Sequence, residues 1–130
     1  MAVEEHVKRL QQGTSVWNAW REENPDETID LSYAVLSYAK LSNYNLSKAN
    51  LIGTYFIGTD LSNADLTETY LISANLSRAK LVKADLSRAN LSNAKLSEAN
   101  LIGADLSNTN LSNAVLRNSD LSNADFSSAE

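Results

Sequence analysis

The chain has 130 residues, enough for one domain with one core, and carries a net charge of −5 at pH 7. It has no cysteine, which excludes disulfides and thiolate metal sites. Its 11 Lys and Arg are interspersed with 16 Asp and Glu and form no basic stripe, which argues against binding nucleic acid.

Residues 1–28 read as a helical cap. Glu4 and Glu5 interrupt the N-terminus, so it does not read as a signal peptide, and no stretch is apolar enough to span a membrane. A cytoplasmic protein is expected. Val3, Val7 and Leu10 follow helical spacing, with Gly13 placed to close that helix. Thr14 or Ser15 is placed to cap a second short helix that carries Val16, Trp17 and Trp20 on one side. Asn24-Pro25 ends it. His6, the single histidine, is expected to be solvated beside the acids of the first helix.

From Leu31 onward the chain is periodic. Every fifth residue up to 126 is large and apolar: Leu at eighteen of twenty positions, Phe56 and Phe126 at the others. In an α-helix that period winds around the axis and gives no buried stripe. In a strand it alternates faces, because five is odd. The backbone must therefore turn once per repeat.

With the leucine called i, position i−2 is small, as at Ala64, Ala74 and Ala84, and reads as inward. Positions i−1, i+1 and i+2 are mostly polar and read as outward. Gly53, Gly58 and Gly103 all fall at i+2, with seven asparagines in the same slot, among them Asn43, Asn63 and Asn93. Those residue types tolerate φ > 0, so i+2 is the corner. Ser dominates i+1.

Repeats this short must coil and pair each turn with the last, about 4.8 Å apart. Recurrence of Asp65, Asp85, Asp105 and Asp125 at intervals of 20 favours four repeats per coil, although spacing alone leaves three open.

The A-[D/N]-L-x-x unit, as in Ala64-Asp65-Leu66, Ala74-Asn75-Leu76, Ala84-Asp85-Leu86 and Ala104-Asp105-Leu106, resembles the pentapeptide-repeat family over residues 29–130. The resemblance implies an all-β solenoid, a right-handed quadrilateral parallel β-helix of about five coils, capped by N-terminal helix. The run from Val16 to Pro25 is similar to the helical cap of many members from photosynthetic bacteria. The family's functions are mixed.

Candidate sites lie on the outward columns. Asp65, Asp85, Asp105 and Asp125 form one row, read either as a solvated row relieved by Lys48, Arg88 and Asn108 or as a cation site. Lys40, Asp60, Lys80, Asn100 and Asp120 alternate in sign and read as a self-neutralising ladder. Tyr33, Val35, Tyr38, Ile52, Tyr55, Ile57, Tyr70 and Ile72 occupy outward slots on two adjacent faces in the first three coils. Such a group reads either as an interaction surface or as residues covered by the returning helices. A smaller group, Val82 and Ile102 beside Gly103, lies on another face. Tyr44 takes an inward slot and is expected to pack near the cap.

No nucleophile stands near a base, so catalysis is not expected, and no cofactor or metal motif is present. The reading is a non-catalytic scaffold that binds another protein, with no nucleic-acid or membrane partner. The alternative, implied by gyrase-inhibiting relatives, is a DNA mimic; about 24 Å of rod and a near-neutral repeat surface weaken it. Those relatives dimerise through a C-terminal helix that this sequence does not show, which weakens the analogy. With Phe126 and the last residues either plugging the end or stacking on a second copy, a monomer or a C-terminal end-to-end dimer is expected.

Overall fold

A computed structural model describes all 130 residues. Two helices come first, α1 at Glu4–Leu10 and α2 at Thr14–Glu23. The rest winds into a right-handed, four-sided parallel β-helix of five coils. Every bridge joins residues twenty apart, such as Val35 with Tyr55 and Asp65 with Asp85. A three-sided coil would pair residues three repeats apart, and none pair so. We number the faces from the leucines of the first coil: face 1 at Leu31, face 2 at Leu36, face 3 at Leu41 and face 4 at Leu46.

One repeat shows why the pattern holds. Asp85 N–H donates back to the Ala64 carbonyl of the preceding coil at 3.0 Å. Leu86 and Arg88 donate forward to the Asp105 and Ser107 carbonyls at 2.7 and 3.0 Å. Ala84 N–H closes the turn onto Leu81 O at 3.0 Å. Four of the five N–H groups are thus used, and the one at i+1 is left over. That N–H makes no bond within the chain where i−1 is neither Asp nor Asn, as at Ile57 and Val82, but a side-chain oxygen at i−1 can take it. Asp85 Oδ1 does, accepting from both Ser87 N–H at 3.0 Å and Ser87 Oγ–H at 2.7 Å. Asx-turns of this kind occupy i−1 wherever Asp or Asn stands there, from Asp30 to Asp125. Each i+2 residue from Tyr33 to Ser128 has φ between 57 and 68°, whether or not it is Gly or Asn.

The leucine columns and Phe56 are fully buried through the middle coils. Buried Thr54 and Thr59 satisfy their hydroxyls by donating to the Leu31 and Leu36 carbonyls. In the fifth coil Leu111, Leu116, Leu121 and Phe126 are only half-buried.

The helices stand on the open edge of the first coil. Over face 4, Asn18 replaces the missing coil: its Oδ1 accepts from Asn45 N–H at 2.8 Å and its Nδ2 donates to Asn43 O at 2.9 Å. Trp17 Nε1 and Arg21 Nη1 both donate to Asn45 O, and Arg21 Nη2 donates to Ser47 O. Over face 1, Val3 N–H donates to Asp30 O at 2.9 Å, and Asp30 N–H donates to His6 Nδ1 at 3.1 Å. Tyr44 is buried and donates to Leu10 O at 2.9 Å, as its inward slot near the cap predicts.

Several expectations for the cap are corrected. Gly13 does not cap α1, which ends at Leu10 with Gln11 as its C-cap; with φ at 107° it is the N-cap of α2. Neither Thr14 nor Ser15 caps that helix, because Thr14 is already inside it. Val16 faces solvent at 46 % exposure, since Trp17 and Arg21 take the packed side. His6 is buried rather than solvated, because the folded edge recruits it as an acceptor for Asp30 N–H. No helix is long and apolar enough to cross a membrane.

Candidate interaction surface

The flat faces decide which side chains meet. Face 1 and the corner after it present Tyr33 in coil 1, Ile52 in coil 2, and Tyr70 and Ile72 in coil 3. Face 2 and its corner present Val35 and Tyr38 in coil 1 and Tyr55 and Ile57 in coil 2. Val35 bridges directly to Tyr55, so the two are stacked neighbours. Exposure is 60 % at Tyr33, 76 % at Val35, 70 % at Tyr38, 45 % at Tyr55 and 52 % at Tyr70. Ile52, Ile57 and Ile72 are half-buried between coil neighbours. The helices hold the end of the prism through Asp30, Asn43, Asn45 and Ser47 and leave these two faces uncovered.

Two residues of this surface escaped the sequence reading. Gly53 and Gly58 were explained there by φ alone, yet each also makes room for a tyrosine. A Cβ on Gly53 would lie 2.4 Å from the Tyr33 ring, and one on Gly58 would lie 2.6 Å from the Tyr38 ring. Each tyrosine therefore leans across to the glycine one coil on. The available signal was the doubled Tyr…Gly pair at coil spacing, Tyr33 with Gly53 and Tyr38 with Gly58.

The charged columns behave differently from their sequence reading. No Lys–Asp ion pair forms along Lys40, Asp60 and Lys80. Asp60 Oδ1 instead accepts from Ser62 N–H at 3.0 Å, which turns the carboxylate along its own chain. Ion pairs form at the corners, Arg88 with Glu68 at 3.7 Å and Arg78 with Glu98 at 3.8 Å. These pairs are exposed and contribute little. Arg88 is thus engaged with Glu68 rather than with the Asp65–Asp125 row. The row is relieved by its own hydroxyls: Thr67, Ser87, Ser107 and Ser127 each donate to the aspartate two residues before. No three of His, Cys, Asp or Glu converge as metal ligands.

Hydrogen bonding also sets the acidities. The Ser122 hydroxyl and N–H hold Asp120 below the usual carboxylate range, and Ser127 does the same for Asp125. At Asp30 burial pushes upward, but Ser32, the N-terminal ammonium and His6 outweigh it and the pKa falls. Burial lowers the Arg21 pKa, with Asp65 opposing; its Nε has no partner.

The pentapeptide-repeat profile matches residues 29–67, 69–108 and 94–130, in eight copies. The chain belongs to the pentapeptide-repeat family. Among solved structures, a pentapeptide-repeat protein of the Arabidopsis thaliana thylakoid lumen is 32 % identical, with a TM-score of 0.69 over 71 % of this chain. This chain spans 64 % of that protein's length. Rfr23 from the cyanobacterium Cyanothece 51142 is 36 % identical over 78 % of this chain and 67 % of its own, with a TM-score of 0.49. HetL from Nostoc sp. strain PCC 7120, a protein involved in heterocyst differentiation regulation, is 31 % identical over 76 % of this chain and 60 % of its own, with a TM-score of 0.33. No curated protein matches. Membership accounts for the solenoid and its register.

Proposed function

We propose that this pentapeptide-repeat prism is a non-catalytic scaffold that binds another protein through the surface formed by Tyr33, Val35, Tyr38, Ile52, Tyr55, Ile57, Tyr70 and Ile72. One observation carries the reading: five large apolar residues of this group stand exposed together on two adjacent faces of a rigid ladder. Aromatic and β-branched groups fixed this way lose little conformational freedom on binding, which favours hot-spot contacts. The Asx-turns support rigidity, because they tie even the outward carboxylates to the backbone.

The test is capture of partners from the cell extract of the source organism by the intact protein and by a Tyr55→Ala/Ile57→Ser variant. The variant is expected to lose the partners that the intact protein retains. Undiminished capture by a variant of unchanged stability rejects the surface.

A second reading, mimicry of DNA, draws on the Asp65, Asp85, Asp105 and Asp125 carboxylates, which stand one per coil down face 4. Lys48 and Arg88 share the adjoining corner column and dilute the row. Inhibition of gyrase supercoiling at micromolar protein would support mimicry; none is expected.

A further inference from the structure

The open edge of the first coil is only half covered. In every inner coil the i−1 residue gives its N–H to the coil before and receives an N–H at its carbonyl, as Tyr55 does with Ala34 and Leu36. On the first coil, the helices supply these partners for Asp30 on face 1 and Asn45 on face 4. The i−1 and i+1 groups of faces 2 and 3 receive nothing; the cap reaches only the corner after face 3, where Asn18 Nδ2 donates to Asn43 O. The N–H and carbonyl of Val35 and of Lys40, and the carbonyls of Ser37 and Ser42, make no hydrogen bond within the chain. Beside them lies a cavity of about 260 Å³, whose apolar lining includes Leu10, Leu36, Leu41 and Tyr44.

We propose that this half-edge accepts an extended segment of a partner protein, laid across faces 2 and 3 as a partial coil. The exposed groups define the occupant. In the ladder, an extended chain running parallel satisfies all six at once, donating at i and i+2 and accepting at i−2. A helix has no such free groups. A second copy of the prism would have to stack a four-sided coil, and α1 and α2 already fill two of its faces. The occupant is therefore a single strand of about two pentapeptides with one corner. Its inward residues at i project over Leu36 and Leu41 into the cavity, so they should be large and apolar. Its i−1 residue on face 3 stands against exposed Lys40, so it should be acidic.

This inference deepens the scaffold reading and rests on it, since Val35 belongs to both the edge and the Tyr/Ile surface. A capped synthetic peptide with the sequence of residues 99–108 has the required pattern: leucine at both i positions and aspartate at the second i−1. It is titrated into the full ¹⁵N-labelled chain to about 1 mM. The expected result is amide shifts at Val35, Ser37, Lys40 and Ser42, with exchange of the Val35 and Lys40 amides slowed at least about tenfold. A peptide with both leucines replaced by aspartate should produce neither effect. Lys40→Glu should weaken binding several-fold without changing thermal stability. Val35→Pro should weaken it further, because it deletes a donor that the chain itself does not use. Absence of shifts at the edge, or shifts confined to Tyr55, Ile57 and Tyr70, overturns the proposal. Tyr55→Ala/Ile57→Ser should bind the peptide normally, so failure of the edge and failure of the surface are separately visible.

Discussion

At the residue scale, each slot of the repeat answers one backbone demand. The i+2 slot holds φ near 60° throughout, so its glycines are not special in φ. Gly53 and Gly58 are special in contact, because a tyrosine ring occupies the place of their Cβ. Gly103 is the control: a Cβ there meets only Lys83 Cγ at an ordinary 3.5 Å. Gly53→Ala is therefore expected to push the exposed Tyr33 ring aside and to destabilise by up to about 1 kcal/mol more than Gly103→Ala in urea unfolding. Adding Tyr33→Ala should remove most of the difference; equal costs for the two alanine variants would refute the ring contact.

The i−1 carboxylates give a second prediction. Asp30, Asp120 and Asp125 titrate below their ordinary value in the folded state. A depressed folded pKa stabilises above the unfolded value, near 3.9, and that stabilisation is lost as pH falls through the folded value. Stability should thus decline below about pH 4. By NMR titration, Ser122→Ala and Ser127→Ala should move Asp120 and Asp125 part of the way back up. Unmoved carboxylates would mean that the hydroxyls are incidental.

At the element scale, α2 acts as a piece of missing β-helix. Asn18 presents both an acceptor and a donor, which is what a neighbouring peptide unit would present. Asn18→Ala hands Asn45 N–H and the exposed Asn43 O to water and should cost about 1 kcal/mol, read as a lowered Tm. Asn18→Asp keeps the acceptor alone and should cost less. The sequence placed a capping helix here with its tryptophans, because apolar spacing and Pro25 are local signals. It did not reveal Asn18, Arg21 or His6 as edge partners. Their role exists only once residues 30 and 45 are brought beside them, and a polar residue on a short helix carries no mark of that.

At the scale of the whole molecule, the solenoid is quasi-one-dimensional, so stability should fall away from the middle coils. Phe56 is sealed between neighbouring coils, whereas Phe126 is half-buried. Phe56→Ala should cost about 3–5 kcal/mol and Phe126→Ala less than half of that. Hydrogen exchange should agree. Leu116, Leu121 and Phe126 N–H groups lack the forward partner that Leu96, Leu101 and Leu106 have, so they should exchange fastest among the leucine-lattice amides. Uniform protection across the coils would contradict the stacked-coil account.

The period of five by itself determined that the chain turns once per repeat, buries its leucines and opens a corner at i+2, because no regular helix or strand can satisfy that spacing. The placement of the eight Tyr, Val and Ile residues on two adjacent faces was also legible, since a fixed coil length converts sequence position directly into a place on a face. Tertiary structure alone decided how the coil edge is finished. The alternating Lys and Asp column read as a ladder of ion pairs, but the leftover i+1 N–H claims the Asp60 carboxylate first. The cap satisfies faces 1 and 4 and leaves faces 2 and 3 open for the same kind of reason. Both outcomes depend on which unpaired backbone groups a neighbouring side chain can reach, and reach is set by packing rather than by spacing.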